Sequence, residues 1–283
     1  MAQGASTAGR GIAFEGVSFS YASGGSERSA LRDVTLTLAP GELLAVVGAN
    51  GSGKSTLARL CNGLLVATSG SVRVDGVDPA DPERTWDVRS RVAMVFQDPD
   101  NQIVGTVVED DVAFGPENLG VVPEEIRRRV DAALAAVGLG GFERREPHLL
   151  SEGQKQRLAV ASALAMEPAY LVMDEPCAML DPEGRADVLA LCDALAHERT
   201  HGVLLVTHDL ADVAVADRVA VLDHGELTFL GTPEGLLDDE AAVASAGLEM
   251  PAVGLLAANL RGMGFDVPTR ALTPEAIVGA LWP

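Results

Sequence analysis

The sequence predicts an α/β fold: a mainly parallel sheet with helices on both faces, entered through antiparallel strands. Three observations carry this. Leu43–Val47 is an apolar run that breaks into Gly48-Ala49-Asn50-Gly51-Ser52-Gly53-Lys54-Ser55-Thr56. Apolar residues then return with helical spacing at Leu57, Leu60, Cys61, Leu64 and Leu65. Further short apolar runs at Val92–Phe96, Tyr170–Met173 and Val203–Val206 alternate with helical patterns, the habit of a parallel sheet. The early segments instead alternate apolar with polar residues and end in hairpin turns, the habit of antiparallel strands.

The opening stretch is buried strand, glycine-rich loop, amphipathic helix. Gly48 with Gly53-Lys54-Ser55 fits a phosphate-binding loop. Its glycines let backbone N–H groups turn inward on phosphates, and the following helix points its positive end at the same anion. Lys54 supplies a point charge for the β and γ phosphates, and the Ser55 hydroxyl can ligate Mg²⁺.

The other elements follow in order. Residues 1–11 read as a flexible tail. Ile12–Tyr21 is strand-like, a Gly/Ser loop covers Ala22–Ser26, and Val34–Leu38 alternates as a half-buried strand. Ser71–Val74 ends in Asp75-Gly76, a hairpin signal. After Val92–Phe96 and Gln97 comes a polar turn, Asp98–Gln102, and then an acidic knot, Glu109-Asp110-Asp111. Pro123-Glu124-Glu125 opens a helix striped by Ile126, Val130, Leu134 and Val137 and closed by Gly138. Ser151 with Gln154 is a capping box that opens the next helix. Val188, Leu191, Cys192 and Leu195 stripe another helix, and Arg218–Leu222 and Leu227–Leu230 flank the turn Asp223-His224-Gly225. Beyond Gly231–Glu234 the chain becomes Ala-rich and proline-broken, so 236–283 reads as an appended subdomain.

Bulk properties narrow the class. At 283 residues and 47% hydrophobic the chain is globular. A net charge of −20 argues against nucleic acid, which wants a basic face. Cys61, Cys177 and Cys192 have neither metal-like nor disulfide-like spacing and read as reduced thiols. The first residues lack a signal-peptide core, and no apolar run is long enough to cross a bilayer. Any membrane role must come through a partner.

Behind the loop stand residues suited to hydrolysis. Asp174 ends a buried strand, where a carboxylate can hold Mg²⁺, and Glu175 beside it suits a general base for an attacking water. His208 ends the next strand and should emerge at the same edge, toward a γ-phosphate, and Gln97, at another strand end, could contact Mg²⁺ or water. Ser151 and the Gly153 backbone sit at a helix N-terminus, a second phosphate site. His148, His197, His201 and His224 read as structural or exposed; His197 and His201 lack a third ligand for zinc.

This ensemble resembles the ATP-binding cassette (ABC) family over roughly residues 12–235. The matching motifs are Walker A at Gly48–Ser55, the Q-loop at Gln97, the signature at Leu150–Gln154, Walker B at Tyr170–Asp174 with Glu175, the D-loop at Ala178–Asp181 and the switch histidine His208. The resemblance implies a P-loop NTPase core with an N-terminal antiparallel β subdomain, a helical subdomain inserted at about 98–165, and Mg-ATP as the substrate form. It implies that Tyr21 stacks on adenine. It also implies head-to-tail pairing of two cassettes, identical or different, with ATP between one Walker A (Gly48 to Thr56) and the other chain's Ser151, Gly153, Gln154 and Asp181. The usual signature has glycine where this chain has Glu152. A carboxylate near an incoming γ-phosphate is unfavourable unless it turns away, so that half-site is expected to be the weaker one.

A narrower likeness covers Val95–Gly120 and the C-terminal tail, which are similar to energy-coupling factor (ECF) transporter ATPases, the cobalt-type ones included. It implies a peripheral subunit on the cytoplasmic face, an integral membrane coupling subunit, and a membrane capture protein for a vitamin or transition metal ion. Glu109–Asp111 is expected to meet arginine-bearing helices of the coupling subunit. Alternative readings are a conventional ABC importer ATPase and a non-transport cassette. Against the latter, about 53 residues separate Gln97 from Leu150, too few for long coiled-coil arms.

Overall fold

The computed structural model describes residues 9–23, 26–197, 201–245 and 247–282. Most of the expected N-terminal tail, and part of the expected Gly/Ser loop, lie outside these. Strands β1 (Ile12–Ser23), β2 (Ser26–Leu38), β3 (Leu43–Val47), β4 (Ser69–Val74), β5 (Val92–Val95), β6 (Tyr170–Asp174), β7 (Gly202–Thr207), β8 (Arg218–Asp223) and β9 (Glu226–Gly231) form two sheets. The larger has the order β5-β6-β7-β3-β8-β9 and is parallel except for β9. The smaller, β2-β1-β4, is antiparallel.

β3 is buried along its whole length, and its alternation separates two cores. Leu43, Ala45 and Val47 face a core shared with the helices after residue 107, whereas Leu44 and Val46 face one shared with β1, β2, β4 and the helix Lys54–Cys61. Covering both faces is what makes β3 read as an unbroken apolar run.

The helices are α1 (Lys54–Cys61), α2 (Thr85–Arg89), α3 (Val108–Asn118), α4 (Pro123–Ala136), α5 (Glu152–Leu164), α6 (Pro182–His197), α7 (Pro233–Leu237), α8 (Glu240–Ser245), α9 (Ala252–Gly262) and α10 (Pro274–Leu281). Pro123 starts α4 and Gly138, at φ 70°, ends its last turn. The Ser151–Gln154 capping box is formed in both directions.

Three expectations change. Asp75-Gly76 does turn the chain, both residues having positive φ, but only Val74 and Val77 pair across it, and β4 pairs with β1 instead. β2 extends well upstream of Val34, through a bulge at Asp33 that breaks the alternation. The boundary expected at 236 falls inside α7, and Leu236, Leu237, Val243, Leu248 and Leu272 belong to the main core. Ala257, Val267, Ala271 and Ile277 make a separate small core. Among the described residues no helix is long and apolar enough to cross a membrane.

Candidate active site

β3, β5, β6 and β7 all end at one edge of the sheet, so the residues after them share a mouth. The loop after β3 is tightly confined. Gly48 has φ 153°, and a Cβ there would lie 2.1 Å from the Leu222 carbonyl oxygen. Gly53 has φ 108°, and its Cβ would lie 2.5 Å from the Ala30 carbonyl oxygen. Lys54 is buried behind the loop. Its Nζ donates to the carbonyls of Gly48 at 2.8 Å and Ala49 at 3.1 Å and lies 3.9 Å from Glu175 Oε1. Burial lowers its pKa, opposed by the charges of Glu175 and Asp174. Ser52 Oγ is buried without a hydrogen-bond partner. An unpaired hydroxyl, a cation whose hydrogen bonds go to the loop's own carbonyls and a helix N-terminus together fit a phosphate group.

Ser55 Oγ donates to Asp174 Oδ1 at 2.9 Å. These two hard oxygen donors suit Mg²⁺, which keeps water and phosphate oxygens for the rest of its shell. Burial raises the Asp174 pKa; the Ser55 hydrogen bond opposes this, and the Glu175 charge adds to it. The fold therefore disfavours the ionised form, at a cost present above the raised pKa and lost as pH falls through it. Asp174→Asn is expected to raise the Tm of nucleotide-free protein by on the order of 2–4 °C near neutral pH, with the gain shrinking toward pH 4, in thermal melts. A lower Tm for the variant at pH 7 would contradict this.

Glu175 adopts φ 51°, a left-handed conformation uncommon outside glycine. Its N–H donates to the Val206 carbonyl at 2.9 Å. Its Oε2 lies 3.2 Å from His208 Nδ1 and accepts from Gln97 Nε2 at 3.3 Å. Three strand ends thus meet on one carboxylate. The sequence offered no sign of what holds His208. Arg185 on α6 grips Asp209 at 2.6 Å and Asp212 at 2.7 Å, and Thr207 Oγ1 donates to Asp212 at 2.6 Å. Both neighbours of the histidine are therefore tied to α6.

A cleft of about 790 Å³ opens over the loop. Asn50, Gly51, Gly53, Lys54, Ser55 and Thr56 line it, with Gln97, Glu175, His208 and Tyr21. Tyr21 is half-exposed, edge-on to Phe19 at 4.8 Å, with its hydroxyl 3.1 Å from Thr56 Oγ1. Arg28, Arg32 and His224 also line the cleft. His224 was expected to be structural or merely exposed. The β8–β9 turn, held by Gly225 N–H donating to the Ser52 carbonyl at 3.0 Å, brings it here.

Ser151, Glu152, Gly153 and Asp181 are not in this cleft. They line a second concavity of about 460 Å³ with Arg157 and Asp187, and Met179 borders both. The Gln154 side chain accepts from Ser151 N–H at 3.0 Å and closes the capping box, so its amide oxygen is engaged. Asp181 Oδ1 accepts from Gly184 N–H at 2.8 Å at the start of α6. Glu152 is paired with Lys155 at 3.0 Å, and Lys155 also holds Asp100 at 2.8 Å. Gln102 accepts from Phe96 N–H at 3.1 Å and donates to the Ala159 carbonyl at 3.4 Å.

The profile of the ABC transporter family matches residues 31–178. The chain belongs to the ABC transporter family. Among ABC relatives, it is 49% identical to the energy-coupling factor transporter ATP-binding protein EcfA1 of Symbiobacterium thermophilum, covering 95% of this chain and 96% of the relative. The EcfA1 of Caldanaerobacter subterraneus subsp. tengcongensis is 46% identical, over 94% of this chain and 97% of the relative. The cobalt import ATP-binding protein CbiO of Syntrophus aciditrophicus is also 46% identical, over 89% of each. Among solved structures, cbiO1 of Clostridium perfringens, part of the ABC transporter complex cbiONQ, has a TM-score of 0.74 at 33% identity, covering 87% of this chain and 97% of that one. A dimeric ATP-binding cassette in a post-hydrolysis state with ADP and Pi has a TM-score of 0.72 at 29% identity, over 78% and 98%.

Proposed function

We propose that this ABC chain hydrolyses ATP as the energy-coupling subunit of an ECF-type importer for a vitamin or transition metal ion. The observation that carries the reading is the meeting of Lys54, Gln97, Glu175 and His208 in one cleft over the glycine loop. Lys54 exchanges its loop carbonyls for β- and γ-phosphate oxygens. Glu175 takes the proton of the attacking water, and Gln97 and His208 orient its carboxylate. Ser55 and Asp174, with Gln97, would hold Mg²⁺, which neutralises charge on the phosphates. Tyr21 stacks on the base. Ser151 and Gly153 cap the nucleotide of a second cassette in a head-to-tail pair, which is why they lie outside the loop cleft. Pairing with Lys155 neutralises Glu152 and relieves much of the repulsion expected at that half-site.

The chain sits peripherally on the cytoplasmic face of the membrane, held by the integral coupling subunit. The docking surface we assign is Val104, Phe114 and Val122, all exposed, with Glu109 and Asp110, exposed on the same helix as Phe114. Asp111 drops out of the expected acidic contact. It is buried, accepting from the N–H groups of Val104 at 2.7 Å and Gly105 at 2.9 Å and from Ser162 Oγ at 2.8 Å. Purification of the tagged chain from its native membrane is expected to bring down a second ATPase and an integral membrane protein. Neutralising Glu109 and Asp110 together should reduce the membrane protein recovered several-fold, with the strongest effect at low salt. Unchanged recovery at low salt would remove these carboxylates from the interface.

A further inference from the structure

We propose that Arg28 is a nucleotide-contacting residue, its guanidinium taking the α-phosphate between the base at Tyr21 and the glycine loop. This rests on the reading that the cleft holds ATP. Arg28 is the cross-strand partner of Tyr21 in the β1–β2 pair. Its Nη2 lies 3.9 Å from the point where a Cβ on Gly51 would stand, so the side chain reaches from β2 over the loop. Both residues line the cleft.

Among the described residues the charge on Arg28 is also uncommitted. Arg32, the other arginine on this wall, faces Glu226 at 3.6 Å and Ser29 at 3.3 Å. Among the described residues Arg28 has no ion pair. In a chain of 41 acidic and 21 basic residues, an unpaired guanidinium at the mouth of an anion site is suited to the ligand itself. Its place along the ligand follows from its neighbours. Gln97, Glu175 and His208 mark the γ end, Tyr21 marks the base, and Arg28 stands beside Tyr21 over Gly51. The phosphate there is shared by ATP and ADP. A contact made equally to both contributes uniform binding.

The test is the dissociation constants of ATP and ADP for the full chain, measured by calorimetry for wild type, Arg28→Met, Arg28→Lys and Lys54→Met. Arg28→Met is expected to weaken both nucleotides by the same factor, about 5–20-fold, with a flatter salt dependence, and Arg28→Lys to recover part of the loss. Binding of both within twofold of wild type, while Lys54→Met loses them, overturns the role of Arg28. A loss confined to ATP overturns the α-phosphate assignment. Unaltered binding in Lys54→Met overturns the reading of the cleft itself. Because Arg28 is exposed, an unchanged melting curve for each Arg28 variant confirms that the fold is intact.

Discussion

Glu175→Gln is expected to bind ATP and to hydrolyse it about 10²–10⁴-fold more slowly, measured as phosphate release by the chain with its second cassette. The amide keeps the shape of the carboxylate and can still accept from Gln97 Nε2, so the strand ends stay together. It cannot take a proton from water. Removing one negative charge 3.9 Å from Lys54 Nζ also eases the approach of a triphosphate, so binding should not suffer. Turnover within threefold of wild type would move the base to another group, with His208 the nearest candidate.

The second large effect is on the fold itself. Gly48→Ala is expected to destabilise the nucleotide-free protein by about 3–5 kcal/mol, summing left-handed strain and overpacking. The added methyl would stand 2.1 Å from the Leu222 carbonyl oxygen and 2.7 Å from Ser52 Oγ. The first of these is backbone of β8, paired in register with β3, and cannot swing aside as a side chain could. The denaturation midpoint should fall with an unchanged slope. A midpoint equal to that of wild type would mean the loop relaxes freely.

The parts of this molecule legible in the sequence are those whose chemistry is contiguous. Gly48 to Thr56 announces itself because glycines, lysine and hydroxyl stand together between strand and helix. Asp174-Glu175 is legible because it ends a wholly apolar strand. Residues whose role depends on distant chain were not legible. Arg28 enters the cleft only because β2 continues past a bulge, and His224 only because the β8–β9 turn is pinned to Ser52. Asp111 looks like one of three equivalent surface acids, yet the 104–105 backbone folds back onto it. Arg185 and Asp212 carry no local signal, though they hold both flanks of His208. Asp75-Gly76 turns the chain, but in place of the expected hairpin β4 joins the competing ladder with β1.

The attachment of the 96–102 segment to α5 has a mechanical consequence. Asp100 is fastened at Lys155 and Gln102 at Ala159, about 6 Å apart along the axis at the rise of a helix. Two fastenings relate direction as well as position, so the orientation of the segment follows that of α5. α5 has 13 residues, roughly 20 Å at that rise. Its far portion carries Ser162, which grips Asp111 on α3, the helix that bears Phe114 and Glu109. The α3 surface and the backbone beside Gln97 are thereby fastened to one helix, so on the proposed docking a shift of α3 is expected to reach the hydrogen bond between Gln97 and Glu175 through α5.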